Sequence, residues 1–585
     1  MADKNQKAKM ILGIAVSPGI ARGSAFIPPS TEHGMIPRRS IDDNEFSGEI
    51  SRLDSVLNEA EGELLALEAE VRDKIGIQDA KILGVQAALL RDPSFRTEIV
   101  ERCEKQKINV EAALSDTADR LTLAFNQIDD PAFRERAADF RDLARRLLNL
   151  LLKRGQEHTL VPPKESILVV GELLPTIIAK LDTNRIRALV AERGGPTAHA
   201  VILARSLGIP TVIDAETVTS TIKPNDFLIV DGLAGRIFIN PSEDICREYD
   251  EVESDLKSRQ TELQSLIGLP ARTQDGITIT LNANVGKVAD ATAASELKAD
   301  GIGLYRTEFV FLTEDHFPEE EEQYQMYRAT ADKTAPRSTV IRVLDLGSDK
   351  QLSYLSLPAE ANPSLGHRGT RLLLHHTEIL RSQLRAILRL SATHPVSILF
   401  PMIGDVEEMI EARKAVESAQ AELRAEGLSF DTHIRVGAML ETPSAAITAR
   451  WIARQADFLS IGANDLVQYL LVSDRTSREM TAYYEPFHPA VIQALKLIVE
   501  AVAAEGKELS ICGEVAGNPA YIELLLGLGI RNLSVTPREL LDVKNTIRSL
   551  TIEQSKKRVE AVLISQTVRD VKTSLTTDIP SVPNR

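Results

Sequence analysis

Beyond Pro270 the chain repeats one pattern eight times: a short apolar run, then a longer stretch of helical periodicity. The runs are "ITITLNAN" (277–284), "DGIGLYR" (300–306), "TVIRVLDLG" (339–347), "VSILFPM" (396–402), "IRVGAML" (434–440), "DFLSIG" (457–462), "LSICGE" (509–514) and "RNLSV" (531–535). Apolar runs of this length alternating with helices predict buried parallel strands, and eight such units over about three hundred residues suit a closed (β/α)8 barrel. We place that barrel at 271–575 and a loose tail at 576–585. The alternation also says where to look for chemistry, because in such barrels it gathers at the C-terminal ends of the strands. Those ends carry Asn282, Asn284, Arg306, Asp345, Met402, Glu441, Asn464 with Asp465, and Cys512 with Glu514.

The 270 residues before the barrel are organised differently. "MILGIAVSPGIARGSAFI" (10–27) predicts two short strands around a Ser-Pro-Gly turn. From Asn44 the apolar residues Phe46, Ile50, Leu53, Leu57, Leu64 and Leu67 fall at helical spacing, and this character lasts to about Arg154. β-type runs then return: "SILVVG", "IRALVA", "PTVIDA", "DFLIVDG" and "GRIFIN". The simplest arrangement is one α/β domain made of 1–29 and 156–240, with a helical domain of 30–155 inserted into it. A charged helix over 241–270 links it to the barrel. The fold class is therefore α/β multidomain.

Charge and cysteine usage remove whole classes of function. Lys plus Arg number 68 against 84 Asp plus Glu, a net charge of -16, which argues against nucleic acid or an anionic membrane as the main partner. Three cysteines far apart (103, 246, 512) offer neither a disulfide framework nor a CxxC zinc site. The first residues lack the apolar core of a signal peptide, so a cytoplasmic location is expected.

At the predicted barrel mouth, Glu441 and Asp465 are either a Mg²⁺ pair or solvated and paired loop acids. Arg342 is a charge inside an apolar strand, and either pairs with a carboxylate such as Asp345 or offers its fork to a phosphate. Arg306 and Arg475 have the same two readings. Three arginines beside two carboxylates tip the balance toward a phosphorylated, metal-bound anion. Cys512 is either a small buried apolar residue or a proton donor. In the first half of the chain, "GGPTAHAVILARSLGIP" sets His199 at the start of a predicted helix that Thr197 can cap. Free N–H groups there welcome an anion, so His199 is either satisfied by its own turn or positioned to accept a phosphoryl group.

The motifs taken together resemble those of the phosphoenolpyruvate-utilising enzymes: the phosphohistidine loop above, then "GIGLYRTEF", "NPSLGHRGTR", "RSQLRAIL", "FPMI", "MLETPSA", "SIGANDLVQY" and "CGEVAG". Their order, with "GIAVSPGIARGSAF" and "ERAADFRDLARRLL" ahead of them, resembles the branch called enzyme I of the bacterial phosphoenolpyruvate:sugar phosphotransferase system. That resemblance implies a swivelling phosphohistidine domain. His199 would take the phosphoryl group from phosphoenolpyruvate and pass it to a histidine of the phosphocarrier HPr, releasing pyruvate as the first step of sugar uptake. It further implies Mg²⁺ on Glu441 and Asp465, substrate held by Arg306, Arg342, Asn464, Asp465 and Arg475, Cys512 protonating the enolpyruvate carbon, and a homodimer formed through the barrel.

The sequence departs from that pattern at Ala463 and Val467, where the family usually has Thr, and at Ser348 and His367. In the helical insert Gln86 stands where a histidine is usual, which bears on the carrier. Three other readings compete. An ATP-dependent dikinase of the same superfamily needs a nucleotide-binding domain for which no GxxxxGK[ST] loop is present, and the nitrogen-related branch adds a sensory domain for which only about ten residues precede "GIAVSPG". A non-catalytic regulatory relative is disfavoured by the intact set of His199, three arginines, two carboxylates and Cys512.

Overall fold

The computed structural model describes residues 9–28, 36–75, 84, 86–126, 131–152, 162–174, 177–178, 181–194, 199–312, 316–347, 354–355, 358, 360–475, 477–480 and 482–576. The chain forms two compact units, Met1–Leu256 and Lys257–Arg585.

The first unit is built on an eight-stranded sheet of β1 (Lys9–Leu12), β2 (Ile14–Ser17), β3 (Ile20–Phe26), β4 (Ser166–Glu172), β5 (Ile186–Arg193), β6 (Thr211–Ile213), β7 (Phe227–Asp231) and β8 (Arg236–Ile239), in the order β1-β8-β7-β3-β4-β5-β6-β2. Residues 10–27 thus supply three strands where the sequence suggested two. The break is Gly13: β1 pairs with β8 and β2 with β6, at opposite ends of the strand order, and Gly13 is the single residue between them. A Cβ on Gly13 would lie 2.6 Å from the Ile213 carbonyl oxygen and 2.7 Å from Val212, so only glycine lets the chain cross there.

β3 and β4 are parallel neighbours, and the chain between them runs through the helices Asp43–Ile75, Pro93–Gln106, Val110–Asn126 and Pro131–Leu151. Leu53, Leu57, Leu64 and Leu67 are buried as their spacing predicts, in a core shared with Ile99, Cys103, Leu114 and Leu147. His199 is the first residue of the helix His199–Ser206. Thr197, its expected cap, lies outside the described residues. The helix Glu243–Ser265 docks its first half on the sheet: the Tyr249 hydroxyl donates to Asp231 at 2.8 Å, and Arg22 pairs with Asp250 and Glu253.

All eight apolar runs of the second unit are strands: β9 (Thr280–Val285), β10 (Ile302–Arg306), β11 (Thr339–Arg342), β12 (Val396–Phe400), β13 (Arg435–Leu440), β14 (Phe458–Gly462), β15 (Glu508–Cys512) and β16 (Asn532–Val535). They close into a parallel barrel, β16 pairing back onto β9. The period of two is visible along β12, where Leu399 belongs to the small cluster with Leu304, Met439, Phe458 and Cys512, whereas Ile398 and Phe400 belong to the larger core. Among the described residues no helix is long and apolar enough to cross a membrane.

Candidate active site

The barrel brings the sequence-selected residues to consecutive strand ends. Arg306 and Arg342 are register partners at the ends of β10 and β11, so two guanidinium groups stand on adjacent strands. Arg342 is buried and ion-paired: one terminal nitrogen meets Glu308, the other lies 3.3 Å from Asp345 Oδ2. Burial opposes its charge, but Glu308 and Asp345 outweigh that penalty and raise its pKa. Asp345 in turn receives both terminal contacts of Arg368 Nη2, at 3.1 and 3.0 Å. The result is a buried Glu308–Arg342–Asp345–Arg368 chain of alternating charge.

Glu441, at the end of β13, is fully buried; the Met402 amide donates to its Oε1 at 2.6 Å, while Oε2 has no hydrogen-bond partner among the described residues. Burial and the nearby carboxylates of Asp465 and Asp345 push its pKa up to about 8. Asp465, in the helix Ala463–Leu471 that follows β14, leaves Oδ1 without a hydrogen bond, and its nearest cation is Arg475 Nη2 at 3.9 Å. Gly462 allows the approach, since a Cβ there would sit 2.2 Å from Glu441 Oε2. A carboxylate oxygen buried without a partner is costly. No group of three His, Cys, Asp or Glu side chains forms a ready cage among the described residues. Two hard oxygen donors from neighbouring strands nevertheless fit a divalent cation that keeps most of its ligands as water and substrate oxygens.

Asn464 turns its side-chain oxygen to the Glu514 amide at 2.9 Å, tying the start of this helix to the end of β15. Cys512 is buried with its Sγ 3.4 Å from the Ile461 carbonyl oxygen, and burial pushes the thiol up to about 11 against the pull of Arg306. At neutral pH it is a thiol. Asn282 and Asn284 are instead committed to β16, Asn284 exchanging bonds with Ser534 at 3.0 and 2.6 Å.

Sequence reasoning overlooked Glu308 and Arg368 as parts of this mouth. The signal for Glu308 was Arg342 itself: a buried arginine demands a buried acid, and "RTEF" offers one beside Arg306. Tyr469, whose hydroxyl lies 3.4 Å from Arg368 Nη1, and Tyr484, whose hydroxyl donates to the Asn464 carbonyl at 3.4 Å, were overlooked too. Of the departures, Ala463 and Val467 are buried, Gln86 is buried in the helical region, and His367 faces His375 with ring nitrogens 3.0 Å apart. Ser348 lies outside the described residues, as does the side chain of His199.

Three family models match in the order of the chain: the PEP-utilising enzyme N-terminal domain over 12–136, the mobile domain over 162–235 and the PEP-binding domain over 260–552. The phosphoenolpyruvate-protein phosphotransferase of Haemophilus influenzae is 37% identical over 562 residues, covering 96% of this chain and 98% of its own. That of Staphylococcus carnosus is 35% identical over 564 residues, again 96% and 98%. An NMR solution structure of Enzyme I aligns with 42% of this chain and 99% of its own at 26% identity, with a TM-score of 0.35. The chain belongs to the PEP-utilising enzyme family.

Proposed function

We propose that this chain is a phosphoenolpyruvate-protein phosphotransferase that phosphorylates its own His199 and hands the group to a histidine of the phosphocarrier HPr, the first step of sugar uptake by the phosphotransferase system. The observation that carries the reading is the barrel mouth, where buried arginines stand beside two carboxylates with orphaned oxygens. Near-full-length similarity to proteins of that name supports it.

In this reading Arg306, Arg342 and Arg475 hold the substrate phosphate, and Asn464 seats the substrate. Glu441 and Asp465 bind Mg²⁺, which when present neutralises charge spreading over the phosphoryl oxygens. The unprotonated His199 imidazole forms the new N–P bond as the P–O bond to the enol oxygen breaks, leaving enolpyruvate. Cys512, held as a thiol by burial, gives its proton to the methylene carbon, and pyruvate leaves. The thiolate recovers a proton from solvent. Phosphohistidine then passes to the carrier on the helical domain, which requires the domain carrying His199 to swivel about the helix 243–265. A homodimer through the barrel and a cytoplasmic location complete the reading.

The test is incubation of the protein and its His199→Ala variant with labelled phosphoenolpyruvate and Mg²⁺, with labelled ATP in parallel. Acid-labile, base-stable label from phosphoenolpyruvate, absent in the variant, is the expected result. Label from ATP alone would move the protein to the dikinases, and no label from either would leave a regulatory relative.

A further inference from the structure

We propose that Gln383, on the outer helix Thr377–Ser391, is a positioning residue that sets the main chain of Arg342 and so the place of its guanidinium at the mouth. This inference rests on the phosphotransfer reading above for its kinetic consequence, not for its geometry.

β11 ends at Arg342; the Val343 N–H still donates to the Leu399 carbonyl of β12 at 3.0 Å, and the N–H of the next residue, Leu344, has no strand partner. Leu344 is buried there, and a buried N–H must find an acceptor. It finds Gln383 Oε1 at 2.9 Å. The amide nitrogen of Gln383 donates to Thr307 Oγ1 at 3.2 Å and to the Tyr327 hydroxyl at 2.9 Å. Thr307 Oγ1 passes the sequence on by donating to the Arg342 carbonyl at 2.9 Å, and Tyr327 donates to Gln323 Oε1 at 3.0 Å. Gln323 closes the chain on the Pro318 carbonyl at 2.8 Å.

Every donor in this chain meets an acceptor, and that fixes the orientation of the Gln383 amide. Turned over, it would set its NH2 against the Leu344 N–H. Gln383, Thr307, Tyr327 and Gln323 are all fully buried, so no water competes for these bonds. Gln383 therefore ties the residue after Arg306 and the residues around Arg342 to one point, from a helix that carries none of the substrate-facing groups. Both strand ends bear arginines that the mechanism needs in register.

The experiment uses the full chain. Gln383→Met removes the donor and acceptor at similar length, and Gln383→Glu keeps the acceptor for Leu344 while losing the amide donor. Thr307→Val removes the relaying hydroxyl and Thr307→Ser restores it. Two readouts are taken: single-turnover labelling of His199 over a range of phosphoenolpyruvate concentrations, and amide hydrogen exchange of peptides spanning 339–347.

We expect Gln383→Met to lower the maximal rate about 100-fold, the effect of misplacing a transition-state contact by about 1 Å, with the half-saturating concentration within about threefold. Exchange at 339–347 should accelerate, Gln383→Glu should lose less, and Thr307→Ser should recover most of what Thr307→Val loses. Equal exchange in wild type and Gln383→Met overturns the clamp. So does a rate loss shared equally by Thr307→Ser and Thr307→Val, which would mean that packing of the methyl group matters and the hydroxyl does not. A wild-type chain that takes no label from phosphoenolpyruvate overturns the functional reading instead, and the exchange arm still decides the clamp.

Discussion

The two sides of the barrel mouth treat buried charge in opposite ways. On the β10–β11 side, Glu308, Arg342, Asp345 and Arg368 spend their charges on one another, and the backbone beneath is held by Thr307 and Gln383. On the β13–β14 side, Glu441 and Asp465 repel each other and keep one oxygen apiece without a hydrogen bond. The first arrangement is stable as it stands. The second is destabilising when both carboxylates are charged, and either a proton on Glu441 or, in the proposed reading, a bound cation would relieve it. The difference separates a side whose charges are neutralised in place from a side whose carboxylates keep oxygens open to a further partner.

If the first side is scaffold, breaking it should cost stability. Arg342→Met strands Glu308 and Asp345 without their shared cation, and removing one partner of a buried pair typically costs about 3–5 kcal/mol. Denaturant unfolding followed by far-ultraviolet circular dichroism checks this. A variant as stable as wild type would show that Arg368 alone satisfies both acids, and the comparison would collapse.

If the second side is a site, neutralising it should do the reverse. Glu441→Gln is expected to lower the rate of phosphoenolpyruvate-dependent labelling by about 10²–10³-fold, the usual cost of one preorganised transition-state contact. It should also raise the melting temperature measured in EDTA above pH 8, where Glu441 would otherwise carry a buried charge facing Asp465. Loss of both activity and metal-free stability would mark Glu441 as structural. Cys512→Ser should leave the melting temperature within a few degrees and slow pyruvate release by about 10²-fold, the lower end of what a placed general acid contributes. Pyruvate release at the wild-type rate would assign the proton to another group.

The barrel was legible because its strands are apolar runs separated by helices, and periodicity reports burial directly; all eight runs became strands. The strand ends followed from that, so Arg306, Glu441, Asp465 and Cys512 could be named from them; Arg342 was named only as a charge inside an apolar run whose end was placed at Asp345, whereas the strand ends at Arg342 itself. The acid that neutralises Arg342 was harder to read. Glu308 lies 34 residues away in sequence, and nothing local in "RTEF" says that its carboxylate turns inward. Gln383 was hidden for a related reason: in a helix of alternating charge and leucine a glutamine reads as a surface residue, and only the end of β11 at Arg342 creates its acceptor role. In the first unit, the third strand of residues 10–27 was missed because the crossing at Gly13 is imposed by Val212 and Ile213, two hundred residues further on.

The smallest effect is the one that separates the two sides most cleanly, since it needs no substitution. Glu441 has its pKa raised to about 8 from an ordinary 4.5, so between those values the folded, metal-free protein holds a proton that the unfolded chain has released. Stability of the metal-free protein from this group therefore falls as pH rises through that window, by at most about 1.4 kcal/mol per pH unit. A divalent cation requires the carboxylate, so its binding displaces that proton and weakens toward low pH. The melting temperature gained on adding Mg²⁺ over EDTA should then be larger at pH 8 than at pH 5.5. Buried Arg342 and Arg368 stay charged throughout and add no slope, because both have their pKa raised further above the range. A Mg²⁺ gain independent of pH would mean that the cation binds away from Glu441, and the β13–β14 side would lose its standing as the metal site.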